Sequence, residues 1–508
     1  MAQQLQNVTI SAPAFSGINT QDSPIDLDPS FARIADNCVI DSFGRIGARN
    51  GYELLTTDAT DLGGSVGTES LFEFIDQSGD IVVLSAANNK LFSGTTTLTE
   101  LSSGTTITAN NWKFANLNNH CYLFQKGHES LIFTDASGSA TLTKFSSFGS
   151  ASGTAPQANE VISAFGRLWA ADVTGNQHTV FFSHLQIGYQ WTGGSSGSLD
   201  ITSVLPAGED PIVALAAHNG KLIIFCRNTI LIYAGATTPS SMTLEDTIVG
   251  VGCIARDSVV SIGTDLLFLS DSGLRSLGRT IQEKLAAIGD LSQNVRNDLI
   301  GDIATETGNI KAVYSPENSF YLLALPSNEK VYVFDISKVL PTGAFRVTTW
   351  SSIKPLCFVR ERDGDLIFGR AGGIAKYSTF KDNDAAFTLQ YFSNPLAFQQ
   401  PANVKFLKKF NLTIIGGAAT SVVFKWGYDY SEAYETQNFT IGSSAAAEYG
   451  VSEYGGTAEY TASLLVNTPK INATGGGEVV TVGLEANIAG APFSIQRIDI
   501  LVLLGRIL

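Results

Sequence analysis

The residue types that could do nucleophilic chemistry occur as isolated matches. Residues 193–197 read Gly-Gly-Ser-Ser-Gly and fit the G-x-S-x-G pattern, which needs a strand before the serine and a helix after it. Residues 351–354 read Ser-Ser-Ile-Lys and fit S-x-x-K, but Pro355 disfavours the helix that would bring serine and lysine together. We interpret the first match as a loop and the second as a chance match.

Metal-binding patterns are equally sparse. The chain has five histidines and none has a partner at the spacing of a helical zinc motif. Asp22, Asp26 and Asp28 suggest calcium, but Pro29 stands where a further ligand would be needed, so turns and capping explain them better. The sequence therefore predicts no catalytic, cofactor-binding or metal-binding residues, and a protein that is not an enzyme.

The composition favours a folded, acidic chain. Of its 508 residues 44% are hydrophobic and 16% charged, with a net charge of -15, which argues against tight nucleic-acid binding. DNA that slides past without binding is compatible with this sign. The five cysteines form no C-x-x-C pair and predict buried free thiols in a reducing cytoplasm. We also expect no signal peptide and no membrane insertion.

Strand signals and a loose repeat dominate the middle of the chain. A polar turn followed directly by an apolar strand recurs about every 45–55 residues, the length of a propeller blade. The seven units are residues 88–92, 118–122, 165–169, 219–223, 264–268, 317–321 and 363–367. The pattern predicts an all-β fold with a β-propeller of six or seven blades over residues 61–384. An irregular double-sheet sandwich is the alternative for this region.

The two ends of the chain differ from the middle. Residues 385–508 contain long alternating strands at 405–415, 421–428, 479–484 and 495–504, which predict a C-terminal β-sandwich or platform domain. Residues 1–60 predict a small arm and docking element with a hairpin and a helix over residues 29–37, capped by Asp28. A second helix is predicted over residues 290–300, where Leu291, Val295 and Leu299 recur at helical spacing.

Three segments near the N-terminus resemble a known family. Residues 15–19 read Phe-Ser-Gly-Ile-Asn, residues 36–40 read Asp-Asn-Cys-Val-Ile, and residues 43–52 read Phe-Gly-Arg-Ile-Gly-Ala-Arg-Asn-Gly-Tyr. They resemble the start of the tail nozzle, or tail tubular protein B-like, family of short-tailed bacteriophages. Residues 166–170 and 252–274 are similar to propeller strands of that group, although this chain is shorter than the nozzle proteins.

The resemblance implies a structural role in the virion. It implies a homo-hexameric ring below the adaptor, or head-to-tail connector, which also meets tail fibre or needle proteins and through which DNA is retained and ejected. Such a protein is made and assembled in the host cytoplasm. The resemblance makes Asn37, Gly44, Arg45, Arg49 and Gly51 structural residues, with the glycines in tight turns and the arginines on carboxylates at a subunit contact.

Two other functions stay open at this point. A receptor-binding or carbohydrate-binding tail propeller would need clustered acids beside exposed Trp or Tyr at one mouth of the propeller, and the chain has only five tryptophans. A scaffold propeller of cellular origin is the other, and only the N-terminal resemblance argues against it.

Overall fold

The computed structural model describes residues 5–11, 15–24, 26–41, 43–56, 67–102, 105–134, 142–206, 208–283, 290–398, 400–431, 433–442 and 466–507. In this part of the chain the fold is all-β, as predicted. The first six strands lie N-terminal to the propeller: β1 (Leu5–Ser11), β2 (Gly17–Ile18), β3 (Phe31–Asp36), β4 (Cys38–Ile40), β5 (Ile46–Ala48) and β6 (Tyr52–Leu54).

Seven antiparallel sheets follow one another as the blades of a propeller. Blade 1 contains β7 (Thr68–Ile75), β8 (Ile81–Ala87), β9 (Lys90–Ser93) and β10 (Thr99–Glu100). Blade 2 contains β11 (Lys113–Leu117), β12 (His120–Phe124), β13 (Leu131–Phe133) and β14 (Leu142–Lys144). Blade 3 contains β15 (Ala158–Ala164), β16 (Arg167–Val173), β17 (Thr179–Phe182) and β18 (Gly197–Asp200). Blade 4 contains β19 (Ile212–His218), β20 (Lys221–Cys226), β21 (Thr229–Ala234) and β22 (Thr243–Val249).

Within the described residues the fifth blade has three strands, and each of the other six has four. Blade 5 contains β23 (Val260–Ser261), β24 (Leu266–Ser270) and β25 (Gly273–Ser276), followed by helices α1 (Leu277–Glu283) and α2 (Arg296–Thr305). Blade 6 contains β26 (Lys311–Ser315), β27 (Phe320–Leu325), β28 (Lys330–Val339) and β29 (Phe345–Trp350). Blade 7 contains β30 (Cys357–Arg360), β31 (Leu366–Arg370) and β32 (Gly373–Tyr377), and β6 completes it from the N-terminal side.

Apolar clusters between neighbouring blades close the ring. Phe74 of blade 1 packs on Phe133 of blade 2, with ring centroids 5.5 Å apart, and Phe225 of blade 4 packs on Phe268 of blade 5 at 5.0 Å. Blade 7 meets blade 1 through a cluster that includes Ile367 and Leu71. Since each blade buries its two faces against its neighbours, no blade needs a core of its own. The predicted propeller is therefore confirmed, and the double-sheet alternative for this region is wrong.

Each of the seven repeated turns lies between two strands of a blade, as the sequence predicts. Six of the seven units lie at the turn between the first and second strands of blades 2 to 7. The unit at residues 88–92 lies instead between the second and third strands of blade 1. Asn118, Asn119 and Asn219 have positive φ, which the short Asn side chain tolerates and which a two-residue hairpin turn requires.

The C-terminal strands form a two-sheet sandwich. They are β33 (Phe387–Ser393), β34 (Asn403–Gly416), β35 (Ser421–Tyr428), β36 (Glu435–Thr440), β37 (Val466–Asn467), β38 (Lys470–Asn472), β39 (Gly476–Gly477), β40 (Val480–Ile488) and β41 (Phe493–Ile507). One sheet has β33, β40, β35 and β36 side by side, and the other is built on the long β34 and β41 pair. Phe410 and Phe424 pack between the sheets with ring centroids 4.8 Å apart.

The N-terminal strands belong to the sheets of the other two regions. β1 and β5 pair with β41, and β3 pairs with β33, so the sandwich contains strands from both ends of the described chain. β3 also meets β29 of blade 6 at Thr349 and Asp36, which makes one continuous ten-stranded sheet of blade and sandwich. The sequence predicts an N-terminal arm and docking element over residues 1–60, and the strands described within that range pair with both the propeller and the sandwich.

The helix prediction over residues 29–37 is wrong. These residues contain strand β3, because the backbone of Ala32 and Ile34 pairs with Ser393 and Phe392 of β33 in the sandwich. Asp28 accepts a hydrogen bond from the Ser30 N–H at 2.8 Å in a turn, so the capping chemistry is present without a helix. The second predicted helix begins later than expected, as α2 at Arg296 after a 3₁₀ turn over Gln293–Val295.

Other expectations concern the cysteines and membranes. All five cysteines are buried and free, which confirms the predicted thiols, and burial raises the pKa of Cys357 to about 12. Among the described residues no helix has the length and apolarity to cross a membrane.

Candidate functional site

The residues singled out by the N-terminal resemblance lie at the joint between propeller and sandwich. Asn37 lies between β3 and β4, and Arg49 and Gly51 lie between β5 and β6. The segments they meet are the end of blade 6 near Ser352 and the passage from blade 7 to the sandwich near Asp382. We call Asn37, Arg49, Ser352 and Asp382 the Arg49 clasp.

Arg49 is the centre of the clasp. Its side chain is 0% exposed, and its Nη1 and Nη2 bond to the two carboxylate oxygens of Asp382 at 2.9 and 2.7 Å. Nε donates to Asn37 Oδ1 at 3.1 Å, Nη1 to the Asn50 carbonyl at 2.7 Å, and Nη2 to Ser352 Oγ at 2.5 Å. All five N–H groups of the guanidinium are therefore used, and the group also lies 4.0 Å from the centre of the Phe387 ring.

Asn37 extends the clasp to the backbone of both regions. Its φ is +53°, its N–H donates to the Thr349 carbonyl at 2.7 Å, and its side-chain amide donates to the Thr388 carbonyl at 2.9 Å. Thr349 belongs to blade 6 and Thr388 to the sandwich, so one side chain and its backbone bridge the two regions.

Asp36 lies at the rim of the clasp. Burial raises the pKa of Asp36, against the opposing hydrogen bonds from Ser351 and Thr349 and the charge of Arg49. Ser351 donates to Asp36 and Ser352 donates to Asp382, whereas Lys354 pairs with Glu329 at the surface. The S-x-x-K match thus has no serine–lysine pair, and its two serines serve the joint.

Gly44 and Gly51 are glycines for different structural reasons. Gly44 has φ +79° in the turn between β4 and β5, where Asp41 accepts from the N–H groups of Phe43 and Arg45. The φ of Gly51 is not positive. A Cβ at this position would lie 1.9 Å from the Lys381 carbonyl oxygen. Gly51 therefore permits a close approach of two chain segments, and the expected tight turn is found at Gly44.

The arginines of the motif both hold carboxylates of their own chain. Arg45 Nε bonds to Asp41 at 2.7 Å and its guanidinium lies 4.6 Å from the Phe43 ring centre. The Phe43 ring is 76% exposed. The resemblance had suggested a subunit contact for these arginines, and in the single chain their charges are already matched.

The sequence did not identify Ser352 or Asp382 as partners of Arg49. They are 303 and 333 positions away from it, and no local spacing connects them. The one available signal was the pair Ser351 and Ser352 directly after a buried strand.

The other motif residues are dispersed. Ser195 Oγ accepts from Arg167 at 2.9 Å in the loop between β17 and β18, and the following element is a strand, so the geometry of a nucleophile elbow is missing there. Asp22 accepts from the Asn19 amide at 2.9 Å in a local turn.

One group of acids has the spacing of cation ligands. Glu361, Asp363 and Asp365 lie together in the turn between β30 and β31, with carboxylate oxygens within 4.8 Å of one another. Burial, and then the charges of Asp363 and Glu73, raise the pKa of Glu361 to about 7. Lys376 already pairs with Asp365, and the three acids are partly open to solvent. Their arrangement therefore fits a turn with repulsion between like charges as well as it fits a cation site.

Comparisons with known proteins return fold likeness alone. No protein-family model matches the chain, and no curated protein matches it. A structure of YCF48 bound to D1 peptide is 10% identical with a TM-score of 0.38, covering 65% of this chain and 96% of that one. The WD40 domain of Neurospora crassa Pan2 is 9% identical at 0.37, covering 65% and 95%. The propeller domain of Myceliophteria thermophila Cps50 (Swd1) is 11% identical at 0.38, covering 62% and 99%.

Proposed function

We propose that this chain is a structural, non-enzymatic subunit of a short-tailed bacteriophage tail. Six copies would form a nozzle ring below the adaptor, in contact with fibre or needle proteins, through which the genome is retained and then ejected. The observation that carries the proposal is the position of Asn37, Arg49 and Gly51. These residues of the nozzle-like N-terminal segment build the joint that fixes the propeller to the sandwich.

A joint of this kind suits a part that works under mechanical load. The ten-stranded sheet joins blade 6 and the sandwich, and the buried, fully bonded Arg49 fastens the segments beside it. Backbone pairing and a buried bidentate ion pair resist separation because breaking them leaves polar groups without partners. A tail subunit pressed by packaged DNA needs its two regions to move as one.

The charge supports passage of DNA without binding. Each chain carries -15, so six copies sum to 6 × (-15) = -90. Like charge repels phosphates over about a Debye length of 8 Å at physiological salt. The subunits of such a ring would have to cohere through apolar and backbone contacts, on the order of 2,000 Å² or more per interface.

The described residues give little support to the carbohydrate-binding alternative. Four of the five tryptophans, Trp112, Trp169, Trp350 and Trp426, are buried in the core. Among the described residues Tyr430 is exposed and follows β35 of the sandwich, whereas the acids at residues 361–365 lie in the turn between β30 and β31 of blade 7. We therefore retain the nozzle as the proposed function.

Particle mass and virion composition test the proposal together. We expect mass photometry of the purified chain to show a hexamer of about 324 kDa (6 × 54.0 kDa), and negative-stain images to show six-fold rings. Mass spectrometry of purified virions should find the chain in stoichiometric amounts. A stable monomer that forms no ring and is absent from virions would contradict the proposal.

A further inference from the structure

Charged side chains from several blades meet on the propeller axis. The first strands of the blades face each other there, and a cavity of about 280 Å³ is lined by residues of blades 1, 2, 5, 6 and 7. Lys113 and Lys311 begin the inner strands β11 and β26, Glu160 lies in β15, and Arg256 and Asp257 precede β23. We call these five residues the axial cluster.

Asp257 is the hub of the axial cluster. It accepts hydrogen bonds from Lys113 Nζ at 2.8 Å, Lys311 Nζ at 2.7 Å and Arg256 Nη2 at 2.6 Å. Burial favours the neutral acid, but the charges of these three cations hold the pKa of Asp257 well below its ordinary value. Asp257 is therefore a full negative charge shared among three positive ones.

Glu160 is the second acid and is poorly matched. It is 1% exposed, and its Oε1 accepts a long bond of 3.4 Å from the Leu215 N–H. Its Oε2 has no hydrogen-bond partner among the described residues, with Lys113 Nζ at 3.5 Å and Arg256 Nε at 4.0 Å. Burial raises the pKa of Glu160 to about 7, although Lys113 and Arg256 oppose it. The cluster thus holds three cations against one strong and one weak acid.

The two lysines retain donor capacity towards the cavity. Among the described residues Lys113 Nζ donates one hydrogen bond, and Lys311 Nζ donates two, to Asp257 and to Asn111 Oδ1 at 2.6 Å. An ammonium group can donate three. Both lysines line the axial cavity, whereas Arg256 directs its donors at Asn111, Asn159 and Asp257. The Lys311 side chain is 9% exposed and that of Lys113 is 25% exposed. An excess of positive charge with unused donors in such a partly enclosed cavity is stabilised by an anion.

We propose that the axial cavity binds a small oxyanion, a phosphate or carboxylate group, held between Lys113 and Lys311. The anion supplies the negative charge that the cluster lacks and accepts the donors that Asp257 and Asn111 leave unused. The cavity size suits a free ion or the acidic end of a small molecule and excludes a DNA strand. The site is independent of ring formation and of the proposed tail function.

Calorimetric titration of the purified chain tests the site. Inorganic phosphate and acetate are titrated separately at pH 8 and constant ionic strength set with chloride. We expect saturable binding of at least one ion, weakened about 10-fold or more in Lys113→Met and Lys311→Met, because each loses a charge-assisted hydrogen bond. The matched control is Lys221→Met, which changes a partly exposed lysine of blade 4 paired with Glu245 at 2.6 Å and should leave the affinity unchanged.

Glu160→Gln gives the opposite and more decisive readout. The amide keeps the shape of the side chain and removes a negative charge that competes with the anion, so the affinity at pH 8 should rise by about 3- to 10-fold. This variant remains informative if the lysine variants fail to fold. Phosphate binding without acetate binding would assign a phosphate site, and the reverse a carboxylate site. No saturable binding of either ion to the wild type, or an affinity that Glu160→Gln leaves unchanged, would overturn the proposal.

Discussion

The Arg49 clasp and the axial cluster are both charged, largely buried and assembled from distant segments, but their hydrogen-bonding groups are matched to different extents. In the clasp one arginine faces one aspartate and every N–H of Arg49 has an acceptor. On the axis three cations face two acids, and Glu160 Oε2 has no hydrogen-bond partner in the described structure. A balanced network of this kind holds segments together, whereas an unbalanced one has capacity for a further group.

Substitution of Arg49 has the largest expected effect, because it disrupts the fully bonded Arg49 clasp. Arg49→Met leaves Asp382 and Asn37 buried without their partner, which we expect to lower the free energy of unfolding by about 3–5 kcal/mol. Urea unfolding followed by tryptophan fluorescence measures it. The control is Lys221→Met, whose partner Glu245 is 45% exposed, and this change should alter stability by less than about 0.5 kcal/mol. Equal losses in the two variants would mean that the clasp is not a structural centre.

Crowding the joint is the next test. Gly51→Ala places a methyl group 1.9 Å from the Lys381 carbonyl oxygen, so the two segments must separate. We expect a loss near the upper end of the range of about 1–3 kcal/mol for overpacking, measured by the same unfolding curves. Gly301→Ala in α2 is the matched control. Its Cβ meets no atom within 4 Å, and the helix should gain roughly 0.5–1 kcal/mol.

The next effect in size is a pH dependence of stability caused by Glu160 of the axial cluster. The pKa of Glu160 is about 7 in the folded chain and about 4.5 ordinarily, so the folded state binds more protons between these values. The free energy of unfolding therefore falls as pH rises through this window, and Glu160→Gln should remove that fall. In phosphate-free buffer at pH 8 we expect the variant to be more stable by about 1–2 kcal/mol, with little difference at pH 4.5.

Glu361→Gln is the control for this pH effect. The pKa of Glu361 is also about 7, but solvent reaches its side chain and screens the repulsion. Its substitution should give a clearly smaller gain at pH 8. If the free energy of unfolding of Glu160→Gln changes with pH as it does in the wild type, Glu160 is not the source of this pH dependence.

The smallest expected effect tests how complete the clasp is. Ser352→Ala removes a hydroxyl that accepts from Arg49 and donates to Asp382, and the remaining network keeps its charges paired. A loss of about 1 kcal/mol is expected from thermal or urea unfolding. A loss as large as that of Arg49→Met would show that the serine, and not the ion pair, organises the joint.

The propeller could be predicted because its signals are local. A turn such as Asn219-Gly220 needs positive φ at both residues and lies between apolar strands, and both facts are visible within ten residues. Strand β35 was predicted with the observed bounds, residues 421–428, for the same reason. The identity of the fold follows from repetition of such turns.

Non-local pairing explains what the sequence did not reveal. Residues 29–37 begin with Pro29 directly after Asp28, which is typical of a helix start, but Ala32 pairs with Ser393, more than 350 positions away. The axial cluster is scattered in the same way, since Lys113, Asp257 and Lys311 share no spacing. A lysine at the first position of two inner strands was the available signal, and it has meaning only once the blades are placed around an axis.

The strand that β6 lends to blade 7 also sets an order of events during synthesis. Tyr52 pairs with Tyr377, which is made 325 residues later. At about 5–20 residues per second, the ribosome needs roughly 15–65 s to supply the partner. During that time β6, with its apolar side chains, has no β32 with which to pair. The ring therefore closes late, and the nascent chain depends on avoiding wrong partners until it does.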